Sequence, residues 1–383
     1  MRNLHLGIDF GHYEIKLTVL EEDVNGQHLT YNFSLLNNNF KGEEILNKEN
    51  IINSLDEFLG AVANSLSISS IKEICLAFNV SNFNLSLQKG HTILDNYVKK
   101  EDIEKAIKIA KTSLLINHQE IILSEVLKFI IDSQQEIRDP LGFEARKLDV
   151  EVLFITCHEI IIQKLKDIFK DIKIREIKFL PSFYASSKIA LSKRDKEVGV
   201  ALLDLGAETT NLSIFKNNKL ITFKNFNFGG ETLTQDLAIY LKIDLDEAEE
   251  IKKNFFNQYK NGAAKKNLKI SKIKNFIEKK IKYYFEESGI KNYFKNISKE
   301  IKIPAGLILV GGFSSIINLD NFLKNIFDCQ VKLPKDELNL FKNKEDIIKY
   351  SASAGCALEI KSNLNQDGNL WQKIKNFFGF KIY

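Results

Sequence analysis

Two spacings of apolar residues alternate along the chain: short continuous or every-second-residue runs, and longer stretches in which apolar positions return after three or four residues. Two of the short runs, residues 4–10 and 198–205, end in Asp-x-Gly and lead into a second apolar stretch, residues 15–20 and 211–215. This predicts a β-hairpin used twice. Residues 52–66, 100–115, 160–169, 232–241 and 319–327 carry the longer period and predict amphipathic helices. Strands alternating with helices in two similar halves predict an α/β fold of two related halves around a cleft.

Residues 79–162 interrupt the first half with a strand, helix and strand pattern of their own, closing on the apolar run 150–155. They predict an inserted α+β subdomain. Residues 242–302 are Lys-rich, with Gly262 and Gly289 as their few turn residues, and predict a helical subdomain in the second half. The expected partition is therefore 1–78 with 163–195, the insert 79–162, 196–241 with 303–360, the helical part 242–302, a linker 361–368 and a terminal helix 369–383.

Composition narrows the class. The 383 residues exceed one ordinary core, and 44% hydrophobic with 27% charged residues is the balance of a folded protein. A net charge of +4, from 54 Lys+Arg against 50 Asp+Glu, argues against a nucleic-acid partner. Cys75, Cys157, Cys329 and Cys356 lie far apart without metal-ligand spacing and read as reduced thiols. The first residues enter a strand at once without the apolar stretch of a signal peptide, and no run of about 18 apolar residues occurs. The expectation is a cytoplasmic chain, one end of which can attach to a surface.

The Asp-x-Gly turns carry the chemistry. A nucleoside triphosphate held between two halves needs tight turns whose backbone N–H groups meet phosphate oxygens, and carboxylates that hold Mg²⁺ through its waters. Asp9 and Gly11 supply one such turn, with Lys16 on the returning strand able to reach a phosphate. Asp204, Gly206, Thr209 and Thr210 repeat it with two hydroxyls added. A third element, the apolar run 307–310 ending in Gly311, Gly312 and Phe313, leads from a buried strand into a helix, where backbone can lie flat against a base or phosphate.

Three such elements in this order resemble the ATPase superfamily of actin, sugar kinases and heat-shock chaperones. The hairpins are similar to its phosphate-one and phosphate-two motifs and Gly311-Gly312 to its adenosine motif; residues 181–191 and 351–355 resemble its two connecting helices. Within the superfamily the resemblance is to the FtsA family of bacterial cell division, because residues 137–150 look like that family's insert and 228–236 with 246–252 like its continuation from phosphate-two. It implies an actin-like fold and an ATP and Mg²⁺ site. Asp9 and Asp204 would be its catalytic, metal-ordering residues, Gly229 and Gly230 would join the nucleotide contacts, and Glu249 and Lys252 would approach ribose and adenine. It also implies a filament of head-to-tail subunits that tethers the tubulin-like FtsZ ring to the inner face of the membrane. The FtsZ carboxy-terminal peptide is expected at the helical part and later division proteins at the insert.

The chain departs from the family pattern at His12, where a small hydroxyl residue is usual, and at Asn211, where many relatives have Asp. His12 reads equally as a phosphate contact and as an exposed loop histidine. No acid stands on the connecting helix near residues 184–189 to polarise a water, so hydrolysis, if any, is expected to be slow. The competing readings are a PilM-like pilus-assembly ATPase and a metabolic kinase of the same superfamily.

At the end of the chain, Leu370, Trp371, Ile374, Phe377 and Phe378 fall on one helical face flanked by Lys373 and Lys375. This is the pattern of a helix lying in an anionic membrane interface, too short to span it. A terminal helix docked on the protein's own core is the alternative.

Overall fold

The computed structural model describes residues 3–22, 28–37, 39–41, 44–68, 71, 73–114, 117–174, 176–260, 268–315, 319–364 and 380–381. In chain order these form β1 (Asn3–Phe10), β2 (Glu14–Glu22), β3 (His28–Leu36), β4 (Phe40–Lys41), β5 (Glu44–Ile45), α1 (Lys48–Ser65) and β6 (Glu73–Phe78). Then come β7 (Asn84–Ile93), α2 (Lys100–Thr112), β8 (Gln119–Ile131), β9 (Gln135–Ile137), β10 (Lys147–His158), α3 (Glu159–Asp171), β11 (Glu176–Pro181), α4 (Ser182–Ala190) and α5 (Lys193–Val198). The remainder is β12 (Val200–Leu205), β13 (Thr210–Lys216), β14 (Lys219–Phe226), α6 (Gly230–Leu241), α7 (Leu245–Lys260), α8 (Leu268–Glu287), α9 (Ile290–Glu300) and β15 (Leu307–Val310). A 3-10 turn (Gly312–Ser315), α10 (Leu319–Phe327), β16 (Val331–Lys332), α11 (Lys344–Leu364) and β17 (Phe380–Lys381) complete it.

Two compact units result. The first comprises Met1–Lys48, Leu76–Ser81 and Ser182–Ala357, and the second Glu49–Cys75, Asn82–Pro181 and Leu358–Tyr383, in their described residues.

In the first unit each expected hairpin is a three-stranded antiparallel meander, β1-β2-β3 and β12-β13-β14. The third strands escape an apolar-run reading because β3 has no fully buried position and β14 has few. In the second meander's sheet, ordered β14-β13-β12-β15-β16, β12 pairs parallel with β15 and sets Asp204 opposite Val310. Strands flanked on both sides run almost wholly apolar, and β12 reads Val-Ala-Leu-Leu-Asp-Leu with Asp204 half-buried and every other residue buried. Leu203, Leu205 and Leu309 share one core with Leu233, Leu237, Phe285, Phe294 and Leu323, which come from α6, α8, α9 and α10. Each such buried side chain contributes about 1.5–3 kcal/mol. The helices α7, α8 and α9 lie within the part expected to be helical.

In the second unit β7, β10 and β8 form an antiparallel sheet with β9 hairpinned onto β8. The apolar face of α2, Ile103, Ala106, Ile107 and Ala110, packs with Val150, Val152 and Phe154 of β10. This is the inserted α+β subdomain. The helix α11 runs on to Leu364, because no proline or glycine stands between Gly355 and Leu364 to stop it, so the first residues of the expected linker are helical. Of the expected terminal helix, Phe380 and Lys381 instead form a strand pairing in parallel beside Ser124 and Glu125 of β8. Leu370, Trp371, Lys373, Ile374, Lys375, Phe377 and Phe378 lie outside the described residues.

Candidate functional site

The site is built where β1 and β12 end, within the first unit. The antiparallel register sets Lys16 opposite Asp9 and, at the same offset in the second hairpin, Asn211 opposite Asp204. Lys16 Nζ donates to Asp9 Oδ2 at 3.1 Å, and Ser182 Oγ at the start of α4 donates to Asp9 Oδ1 at 3.2 Å. The equivalent Asn211 is fully buried and donates to Asn225 Oδ1 at 2.6 Å; Asn225 in turn donates to the Val80 carbonyl at 2.6 Å. The repeat therefore presents a cation on one hairpin and a neutral amide on the other.

Burial, then the nearby Asp9 carboxylate, push Asp204 up to about 7, with Lys16 pulling the other way. Burial opposes charge on Lys16 as well, but Asp9, with Glu14 and Asp204, outweighs it and holds the ammonium above its ordinary value. Two carboxylates sharing one ammonium leave a site that gains from a further cation.

Gly206 and Gly230 allow close approach, and their own N–H groups are engaged inside the protein. Gly206 N–H is engaged by the Thr209 carbonyl at 2.9 Å, and Gly230 N–H by the Gly206 carbonyl at 3.0 Å, which ties the second turn to the amino end of α6. A Cβ on Gly229 would stand 2.3 Å from the Ala207 carbonyl oxygen. Gly311 has φ +89°, and a Cβ there would meet Leu205 O at 2.4 Å and Asp204 Oδ1 at 2.6 Å. Gly312 beside it faces open space, and the buried Phe313 lies against Gly230.

Of the two threonines, Thr209 stands at the turn and its Oγ1 accepts from Asn79 Nδ2 at 2.8 Å. Thr210 is fully buried and donates to the Phe228 carbonyl at 2.8 Å, so its hydroxyl serves the core rather than the turn. His12 Nε2 lies 3.4 Å from Glu208 Oε2, an ion pair whenever the imidazole is protonated. Its side chain is 8% exposed, which sets aside the reading as an exposed loop histidine.

Glu249 and Lys252 face each other and the start of α6. Lys252 Nζ lies 2.5 Å from Glu249 Oε2 and donates to the Gly230 carbonyl at 3.0 Å and to Thr234 Oγ1 at 2.8 Å. Burial drives Lys252 below its ordinary value despite Glu249, while Glu249, which burial would raise, is held low by the Lys252 ammonium and the Thr234 hydroxyl. The lysine braces α7 against α6 directly beneath Gly230.

The structure thus brings Asp9, Gly11, His12, Lys16, Asp204, Gly206 and Thr209 to two facing turns, with Gly229, Gly230, Glu249 and Lys252 at the α6 end and Gly311, Gly312 and Phe313 after β15. Asn79, Ser182, Tyr13 and Lys253 also stand at the site, and no motif in the sequence singles them out. Asn79 carried a faint signal, a polar residue directly after the apolar run of β6; the others reach the site from elements that only folding brings near.

Comparison with known proteins places this geometry. Residues 201–355 match the family model described as cell division protein FtsA, and residues 85–156 the SHS2 domain inserted in FtsA. The cell division protein FtsA of Buchnera aphidicola subsp. Schizaphis graminum is 25% identical, with 98% of each chain covered. Among solved structures, the PilM-PilN type IV pilus biogenesis complex is similar at TM-score 0.62 and 14% identity, covering 93% of this chain and 98% of that one. MreB5 of Spiroplasma citri bound to ADP is similar at TM-score 0.50 and 12% identity, covering 94% and 98%. These structures share the fold, an actin-like ATPase architecture with two related meanders, and the inserted SHS2 domain sets the branch. The chain belongs to the FtsA family, the actin-like proteins of bacterial cell division.

Proposed function

We propose that this cell-division protein binds ATP with Mg²⁺ between the β1–β2 and β12–β13 turns, polymerises head to tail, and tethers the FtsZ ring to the inner face of the cell membrane. The observation that carries the reading is the pair of equivalent hairpins: they bring the Asp9 carboxylate close enough to Asp204 to push it up, with the Lys16 ammonium bonded to Asp9. Hard carboxylate oxygens suit Mg²⁺ held through its waters, Lys16 suits a phosphate, and the open space at Gly312 suits a flat base. A bound magnesium ion would neutralise the phosphates. Asp9 and Asp204 would hold it through its waters, the Gly11 and Gly206 turns and Thr209 would line the phosphates, and Gly311, Gly312 and Phe313 with Glu249 and Lys252 would border the nucleoside. No acid on α4 stands ready to activate water, so this reading asks for at most slow turnover.

The partition into four subdomains, a linker and a membrane-binding end is retained as part of this reading. The helices α7 to α9 receive the FtsZ carboxy-terminal peptide, the inserted domain receives later division proteins, and residues 369–383 bind anionic lipid weakly enough that a filament must present many copies together. No helix among the described residues is long and apolar enough to cross a membrane, which is compatible with attachment by such a segment.

Calorimetry with Mg-ATP tests the site: the native chain binds, and Asp204→Ala, still folded, loses most of the affinity. Unchanged affinity in that variant overturns the assignment. Sedimentation with anionic vesicles tests the tether, since a chain truncated after Leu364 should keep ATP binding and stay in the supernatant.

A further inference from the structure

The residues of the first turn do more than line a site. His12 and Tyr13, neighbours in the chain, each reach a different element across from their own meander. His12 Nε2 lies 3.4 Å from Glu208 Oε2 on the β12–β13 turn. Tyr13 OH accepts from Lys253 Nζ of α7 at 2.7 Å, and the same ammonium stands 4.7 Å from the centroid of the Tyr13 ring. The Lys253 ammonium is held above its ordinary value: burial works against it, and the contact with Tyr13, then Glu249 and Glu14, prevails. Side chains of 8% and 18% exposure at His12 and Glu208 make their attraction less screened than that of a surface pair.

His12 on the first turn is long enough to reach Glu208 on the second. The two phosphate turns are therefore joined by the protein itself, with α7 joined to the first turn beside them.

We propose that His12–Glu208 and Tyr13–Lys253 form a two-point latch across the nucleotide site, which must part for a nucleotide to enter or leave and so sets how long it stays. The inference rests on the nucleotide reading above and adds a kinetic role to residues that the resemblance does not assign. Its signature is a rise in both association and dissociation rates when the latch is weakened, because the barrier to opening falls for both.

Glu208 separates the latch from a mere lining role. A carboxylate that only lined the site would repel phosphate, so Glu208→Ala would slow nucleotide release. As half of a latch, its removal speeds release. Stopped-flow release of a fluorescent ATP analogue from the full chain should quicken about tenfold in His12→Ser and in Glu208→Ala, the loss of one charge-assisted contact. The double variant should be no faster than either single one, because both remove one interaction. Tyr13→Phe, which keeps the ring over the ammonium, should quicken release less than Lys253→Ala, and serves should the other variants misfold.

Slower or unchanged release in Glu208→Ala, or additive effects at His12 and Glu208, overturns the latch. If the native chain binds no labelled nucleotide, the nucleotide reading fails, and amide exchange in the ligand-free protein still decides the latch. Residues 11–14 and 206–209 should then exchange faster in Tyr13→Phe and Glu208→Ala than in the native chain, and equal exchange refutes the proposal.

Discussion

A Cβ placed on Gly355 would stand 1.9 Å from the carbonyl oxygen of Ala185, so α4 and α11 cross in backbone contact. Facing another way on α11, Ser353 Oγ lies 2.7 Å from Thr18 Oγ1 of β2, a buried pair. The carbonyl of the same serine would meet a Cβ on Gly7 of β1 at 2.0 Å. The helix is thus held without slack between the first meander and α4, the element that carries Ser182 to Asp9.

Gly355→Ala should accordingly destabilise the chain by about 3 kcal/mol, since backbone of Ala185, not a flexible side chain, stands where the methyl would go. The urea midpoint reports it. A change under about 0.5 kcal/mol would mean that the helices separate freely.

Lys252→Met should cost about 3 kcal/mol, because it strands Glu249 and the Gly230 carbonyl in a nearly dry setting rather than because the pair is strong. Adding Glu249→Gln should recover part of the loss. Unfolding curves of the single and double variants show whether recovery occurs; strict additivity would contradict a shared pair.

The ligand-free chain should lose stability as pH rises toward neutrality through Asp204. Its folded value of about 7 lies above the ordinary 3.8, so in that window the folded chain keeps a proton that the unfolded chain has released. The contribution is fully favourable below about 4 and is lost as pH rises to about 7. Asp204→Asn should therefore gain more stability over the native chain at pH 8 than at pH 5, by about 3 kcal/mol. Parallel denaturant curves at the two values test the difference, and equal gains at both would remove Asp204 as the cause.

The sequence by itself determined what repeats and what is local. Two apolar runs ending in Asp-x-Gly are enough to specify two strand ends with a carboxylate at each, since a period of two and a glycine turn are properties of neighbouring residues. The spans of α2, α3 and α10, the helical part between residues 242 and 302, and the inserted domain followed from periodicity in the same way. Tertiary structure decided which side chains meet. Lys253 reaching Tyr13, Asn225 reaching Val80 and Ser182 reaching Asp9 join residues on different elements, and no local pattern encodes such distances. Nor could spacing separate Thr209 from Thr210, because they are neighbours across the end of the turn and the start of β13, and only the packed sheet shows which hydroxyl faces the core and which the turn.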